Sequence, residues 1–419
     1  MQKVFNYKNG LRLIVDTVPG LKSVSGGIWV DVGSAKETPD INGLSHFTEH
    51  MIFKGTDKLS PFAIADKFES LGAHINAFTG KGATCYFVKS IDEHFEECFK
   101  TLSHIFFDSI FDAGELDKER NVILEEINMV EDSPEDICFD LSASATYGTT
   151  ALGQTILGPS DNIKRFKSED VKKFIGDFYC ASNIVVSLSG HITPEQADAL
   201  VQKYVLNKAC ANQSFALEPK KMVIQRTHKQ RIKDFEQSNI VLTYDSLPFN
   251  HTDFAIQNVL NVIAGGGMSS RLFQTIREKM GLAYSVYTTP SAHLYNGNFN
   301  IVLNISPENT QKTLDAVASE LKKLKSGDVT GQEIERAKAQ LKSALIFSRE
   351  NVQSIMIATG KLLLMANEVF DIDKRIAQID AVTADDVNAF AAKVFVDNTF
   401  CSAYVGKAHK ADFNAFSVE

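Results

Sequence analysis

The feature that most restricts the fold of this chain is an internal repeat. Asp170-Val171-Lys172-Lys173-Phe174 leads into an apolar segment and then Gly190. Asp386-Val387-Asn388-Ala389-Phe390 does the same and reaches Gly406, with the Asp-to-Gly spacing equal to 20 in both. Glu115-Leu116 opens one long amphipathic segment and Glu333-Ile334 another. Gly72 to Thr79 matches Gly281 to Thr288 in length, in its aromatic and in its final Thr. Three agreements in the same order point to duplication. A chain of 419 residues also exceeds one ordinary core. The expected organisation is a domain over 1–206, a polar, Lys-rich linker over 207–233 and a homologous domain over 234–419.

Within the first half, 11–16, 25–32, 74–79, 84–90 and 184–189 read as strands by apolar runs or alternation, and 42–53, 61–71, 93–107, 115–130 and 169–178 as helices. Strands and helices mix without a regular βαβ rhythm. The expected class is therefore α+β: two duplicated α/β sandwich-like domains, each an antiparallel or mixed sheet covered by helices, joined by the linker.

The composition excludes several partners. A net charge of −9 argues against nucleic acid or an anionic membrane surface. The first ten residues carry no apolar signal core, and no segment has the apolar length of a membrane span. The six cysteines are scattered, with no C-x-x-C pair, which fits reduced thiols and excludes a Cys-based zinc site. A bacterial cytoplasm is the expected location.

His46-Phe47-Thr48-Glu49-His50 carries the chemistry. Histidines four apart share one face of a helix, so both imidazoles can reach one metal ion, and Glu49 can reach water beside it. A catalytic zinc site needs a third protein ligand. Helix 115–130 offers Glu119, Glu125 and Glu126. Helical phase groups Glu119, Val122, Ile123, Glu126 and Val130 on one stripe, and sets Glu125 with Lys118, Asn121, Asn128 and Asp132 on a solvated face. An acid on an apolar stripe is costly unless it is paired or metal-bound. Glu126 is thus the expected ligand, and Glu119 the acid that orients a ligating imidazole. His74 reads as a packing or substrate-wall residue. The repeat is chemically lopsided: the segment 253–264, matching the motif helix, has neither His nor Glu, and Ala344 stands where Glu126 would recur.

These residues resemble the pitrilysin family of metallopeptidases, which carry the H-x-x-E-H order of inverzincins. The likeness runs through Gly43-Leu-Ser-His-Phe-Thr-Glu-His-Met-Ile-Phe-Lys-Gly-Thr56, Asn76-Ala-Phe-Thr79 and Glu119 to Glu126, and covers essentially the whole chain. It is closest to the short bacterial members similar to mitochondrial processing peptidase. The resemblance implies one Zn2+ per chain on His46, His50 and Glu126, with Glu49 as general base and Glu119 in support. Asn76, Ala77 and Phe78 would lie on the edge strand that receives the substrate. Arg277 and Tyr284 resemble the family's Arg/Tyr pair, and Gly265-Gly266-Gly267 a glycine-rich loop of the processing peptidase's non-catalytic subunit.

The implied function is hydrolysis of unstructured peptides in an enclosed chamber. Because zinc site and Arg/Tyr pair occur in one chain, a homodimer with composite active sites is expected. Two other readings stand beside it: a catalytically silent scaffold of the same fold, and a binding module with a structural zinc, which needs a fourth protein ligand that the sequence does not suggest.

Overall fold

The computed structural model describes residues 2–210, 221–397, 399–409 and 412–413. Along the chain the elements run β1 (Gln2–Asn6), β2 (Arg12–Thr17), β3 (Ser23–Val30), α1 (Leu44–Ile52), α2 (Pro61–Ser70), β4 (His74–Thr79), β5 (Thr84–Ile91), α3 (Phe95–Asp108), α4 (Ala113–Asp132), α5 (Pro134–Tyr147), α6 (Ser160–Arg165), α7 (Ser168–Phe178), β6 (Ile184–Gly190) and α8 (Pro194–Val201). They continue with β7 (His228–Ile232), β8 (Ser238–Ser246), α9 (Phe254–Ala264), β9 (Ala283–Ala292), β10 (Gly297–Ile305), α10 (Thr310–Lys325), α11 (Gly331–Ser348), α12 (Val352–Ala366), α13 (Ile372–Ala381), α14 (Ala384–Val394) and β11 (Cys401–Gly406).

Two compact units result. One comprises Met1–Ile127, Thr155–Glu218 and Phe347–Phe370; the other comprises Asn128–Gln154, Pro219–Ile346 and Asp371–Glu419. Each is built on a mixed sheet, of order β1-β2-β6-β3-β5-β4 in the first and β7-β11-β8-β10-β9 in the second. The β2–β6 and β7–β11 pairs are parallel and the rest antiparallel. The expected class, α+β with helix-covered mixed sheets, is what the chain adopts.

The repeat is visible in the backbone. Gly72 and Gly281, which precede the edge strands β4 and β9, both take φ of 62°, a left-handed value that favours glycine. At the starts of α7 and α14, which precede β6 and β11, Asp170 and Asp386 accept from the amides of Lys167 and Thr383, and Thr383 completes a capping box in α14.

Two features depart from the sequence-based expectation. The span 207–233 is not wholly linker, since β7 occupies 228–232 and pairs in parallel with β11 from His228↔Ser402 to Ile232↔Gly406. Its side chains are mostly exposed, so it joins the sheet by backbone bonding and leaves no apolar alternation to read.

The second departure is an exchange of helices. α12, from the C-terminal half of the chain, lies on the first sheet. Its Met356, Leu363 and Leu364 are buried with Ile14, Trp29, Cys85, Phe87 and Val185. Reciprocally, α5 from the N-terminal half lies on the second sheet, where Ile137 and Cys138 pack with Val241, Val302, Ala403 and Val405. The opposite face of the first sheet carries the main core, which includes Phe47 and Met51 of α1, Phe99 and Leu102 of α3 and Phe174 of α7. Both faces of the first sheet are therefore covered. Close packing fixes α12 in place: a Cβ at Gly360 would lie 2.3 Å from Trp29 Nε1, and Ser187 donates its hydroxyl to the Met356 carbonyl at 2.9 Å.

Candidate metal centre

The motif residues sit on α1, whose start is held by an unusual cap. Gly43 precedes the helix with φ of 100°, and a Cβ there would lie 2.5 Å from the Leu157 carbonyl oxygen. The side chain that satisfies the first amides comes from outside the helix. The Glu37 carboxylate, 2% exposed, accepts from Ser45 N at 2.6 Å, Gly43 N at 2.8 Å and Asn42 Nδ2 at 2.9 Å. An anion on the orphan amides of a helix start also meets the positive end of its dipole. Leu44, Phe47, Met51 and Ile52 then seat α1 in the core. That seating turns His46, Glu49 and His50 toward α4 and β4.

His46, His50 and Glu126 converge. His46 Nε2 lies 3.6 Å from Glu126 Oε2, and His50 Nε2 lies 3.7 Å from the same oxygen. The ligand atoms all lie within 4.8 Å of one another, and this is the one such metal-binding group among the described residues. Ligands at the 2.0–2.1 Å bond lengths of a tetrahedral zinc site stand about 3.4 Å apart. The observed spacings are close to that and too long for direct hydrogen bonds. Nitrogen lone pairs facing a carboxylate without a shared proton form a donor set suited to a divalent cation.

Protonation favours ligation. Burial, and then the neighbouring His50, depress the His46 pKa to about 3, so its imidazole is neutral. His50 Nδ1 lies 3.0 Å from Glu119 Oε2, an acceptor that favours the Nδ1–H tautomer and orients Nε2 toward Glu126. Lys54 Nζ holds the other Glu119 oxygen at 2.6 Å. Burial pushes the Glu119 carboxyl up, but the bonds from His50 and Lys54 outweigh it and keep it below the usual carboxylate range. His46 Nδ1 is buried without a hydrogen-bond partner among the described residues.

On α4 the phase reading separates the acids as expected, with Glu119 buried, Glu126 half-buried and Glu125 exposed. Val122 is a correction. It is 49% exposed and does not share the core-facing stripe of Leu116, Glu119 and Ile123. The seven-residue offset from Glu119 to Glu126 holds where the i+3 offset to Val122 does not.

Glu49 points toward β4, where Thr79 donates its hydroxyl to Glu49 Oε2. Burial pushes the Glu49 carboxyl above its ordinary range, against the Thr79 bond. β4 is the edge of its sheet, bonded to β5 only. Asn76 and Phe78 are exposed along it and Ala77 is half-buried. The Ala77 amide is taken by Asn76 Oδ1 at 2.8 Å, which blunts the open edge at that point. His74 starts the same strand, exposed.

Arg277 and Tyr284 belong to the second unit, where they are brought together. Tyr284 is 71% exposed on the edge strand β9, and the Arg277 guanidinium carbon lies 5.9 Å from its ring centroid and 4.9 Å from that of Phe273. Arg277 lies in a π-helical segment, Phe273–Lys279.

Three residues that shape the site escaped the sequence reading. Lys54 carried a signal, being four residues beyond His50 on the same face. Thr79 stands in the repeat and in the family likeness, but neither marks its hydroxyl as a partner of Glu49. Glu37 acts across a loop and leaves no local spacing to find.

Comparison with known proteins agrees with this geometry. Residues 13–160 match the model of the insulinase family, peptidase family M16, and residues 165–341 match that of the peptidase M16 inactive domain. The uncharacterized zinc protease YmxG of Bacillus subtilis is 36% identical over 398 residues, covering 95% of this chain and 97% of its own. An uncharacterized zinc protease of Streptomyces coelicolor is 34% identical, covering 92% of this chain and 85% of its own. Among solved structures, a protease from Helicobacter pylori superposes with a TM-score of 0.90 at 21% identity, covering 97% of this chain and 99% of its own. Both halves of the fold, the motif helix and the full-length relatives agree: the chain belongs to the M16 peptidase family.

Proposed function

We propose that this chain is a zinc-dependent endopeptidase that hydrolyses unstructured peptides. The observation that carries the reading is the convergence of His46, His50 and Glu126 within 4.8 Å, beside a carboxylate, Glu49, anchored to an open edge strand. Zinc held by those three residues would supply Lewis acidity toward the scissile carbonyl and acidify water. Glu49 takes the proton of the attacking water and returns it to the leaving amine. Its raised pKa suits both halves of that exchange. Glu119 keeps the His50 ring oriented. The substrate adds as a strand beside β4, bonded through its backbone, so extended chain is read more than sequence.

The partner is a second copy. Arg277 and Tyr284 of one protomer serve the metal centre of the other, Tyr284 donating its O–H to the developing oxyanion and Arg277 anchoring a substrate carbonyl or carboxylate. The presence of both half-sites in one chain, and the exposure of Tyr284, support this arrangement. No helix among the described residues is long and apolar enough to cross a membrane, and a cytoplasmic location is part of the proposal.

The test is zinc content together with cleavage of a quenched unstructured peptide, with and without chelator, in the wild type and Glu49→Gln. Chelator-sensitive cleavage that Glu49→Gln abolishes is expected. Bound zinc without such cleavage would instead favour a scaffold. Mixing His46→Ala with Arg277→Ala protomers should restore part of the activity; no recovery would sink the composite site.

A further inference from the structure

We infer that Thr79 is a positioning residue for Glu49: its hydroxyl holds Oε2 of that carboxylate and so fixes the direction in which Oε1 faces to receive the proton. The inference rests on the reading of Glu49 as general base and names what aims it.

The hydroxyl is presented by a fixed support. Thr79 is the last residue of β4 and pairs with Thr84, the first of β5. The turn between them is closed by Gly80 N to the Ala83 carbonyl at 2.9 Å. It is tied to the segment after β3 by Ser34 N to the Gly80 carbonyl at 3.3 Å and Ala35 N to the Lys81 carbonyl at 2.8 Å. Thr84 donates its own hydroxyl to the Val32 carbonyl at 2.9 Å and stands 3.4 Å from the Thr79 oxygen. Thr79 is β-branched and stiff about χ1. Glu49 has three rotatable side-chain bonds, so it is the partner that gains order from the contact.

The position of Thr79 gives the bond a second role. It ends the strand whose free edge would take the peptide, so the same six residues hold the substrate and aim the base. Substrate pairing along β4 stiffens the strand and with it the Thr79–Glu49 bond. The bond thereby contributes to turnover more than to binding.

The test compares Thr79→Val, which replaces the hydroxyl by a methyl group at constant shape, with Thr79→Ser, which restores it. Thr79→Val should lower kcat ~10- to 100-fold with KM changed less than about twofold. Thr79→Ser should stay within about threefold of the wild type in kcat, because it keeps the donor. Zinc stoichiometry and melting temperature should be unchanged in both. If Thr79→Val does not fold, Thr79→Ala takes its place. A second arm needs no turnover: in crystals of the metal-free protein, Glu49 should hold one orientation in the wild type and spread over two or more in Thr79→Val. Should the wild type fail to cleave peptide, the peptidase reading falls and this arm still decides the positioning role. Unchanged kcat in Thr79→Val, equal losses in the Val and Ser variants, or one identical Glu49 orientation in both crystals would overturn the inference.

Discussion

His50 donates its Nδ1 proton to Glu119 Oε2 at 3.0 Å, and Lys54 holds the other oxygen of the same carboxylate at 2.6 Å. The pair favours one tautomer and fixes the tilt of a ring that could ligate a metal. Glu119→Gln keeps the shape but removes the charge that favours Nδ1–H. Zinc affinity should fall ~10- to 100-fold, measured by competition with a chromophoric chelator. Lys54→Met should weaken binding in the same direction by less, since it removes only the support of the support.

The two acids on the next turn of α4 should separate cleanly. Glu126 faces both imidazoles, whereas Glu125 is exposed. Glu126→Gln should therefore lose bound zinc after dialysis and Glu125→Gln should retain it, by metal analysis of the purified proteins. Zinc loss in Glu125→Gln, with retention in Glu126→Gln, would contradict the assignment.

Glu37 should matter far out of proportion to its distance from the chemistry. Glu37→Ala strands the Gly43 and Ser45 amides in a buried pocket, while Asn42 Nδ2 keeps only its bond to the Thr155 carbonyl. A cost of about 3 kcal/mol is expected, seen as a fall of roughly 6 to 12 °C in melting temperature. Glu37→Gln should also destabilise, because it turns a donor group toward donors.

Acid should loosen the second unit through Glu333. Burial raises this carboxyl, but the Arg271 guanidinium at 2.7 Å and the Thr330 bonds outweigh it and hold it at about 2. A depressed carboxylate stabilises the fold above its unfolded pKa near 4.5, and the contribution is lost as pH falls from there through about 2. After allowance for solvent screening it is on the order of 2 kcal/mol. Urea melts between pH 5 and 2 should show this slope in the wild type and a flatter one in Glu333→Gln.

The sequence made the metal site legible because its signals are local. His46, Glu49 and His50 lie within one helical turn and a half, and Glu119 to Glu126 within two turns of α4. The edge strand was legible for the same reason, His74–Thr79 having clear alternation and a glycine before it. The repeat announced two sheets because its aspartate caps and its glycines recur at fixed spacing. What could not be read was long-range. β7 is a polar strand that pairs only through its backbone, and Val122 is exposed although helical phase sets it beside Glu119. α5 and α12 carry no mark saying that each covers the sheet of the other half. Glu37 reaches its amides across a loop.

The exchanged helix sets a clock on synthesis. The strands of the first sheet are complete at Gly190, but the helix that covers their second face ends at Ala366. At ribosomal speeds of about 5–20 residues per second, Trp29, Cys85, Phe87 and Val185 wait for their cover roughly 10 to 35 s after the sheet could form. A nascent chain of this protein therefore carries a bare apolar sheet face through nearly half its translation. A chain cut between its halves would keep that face permanently bare.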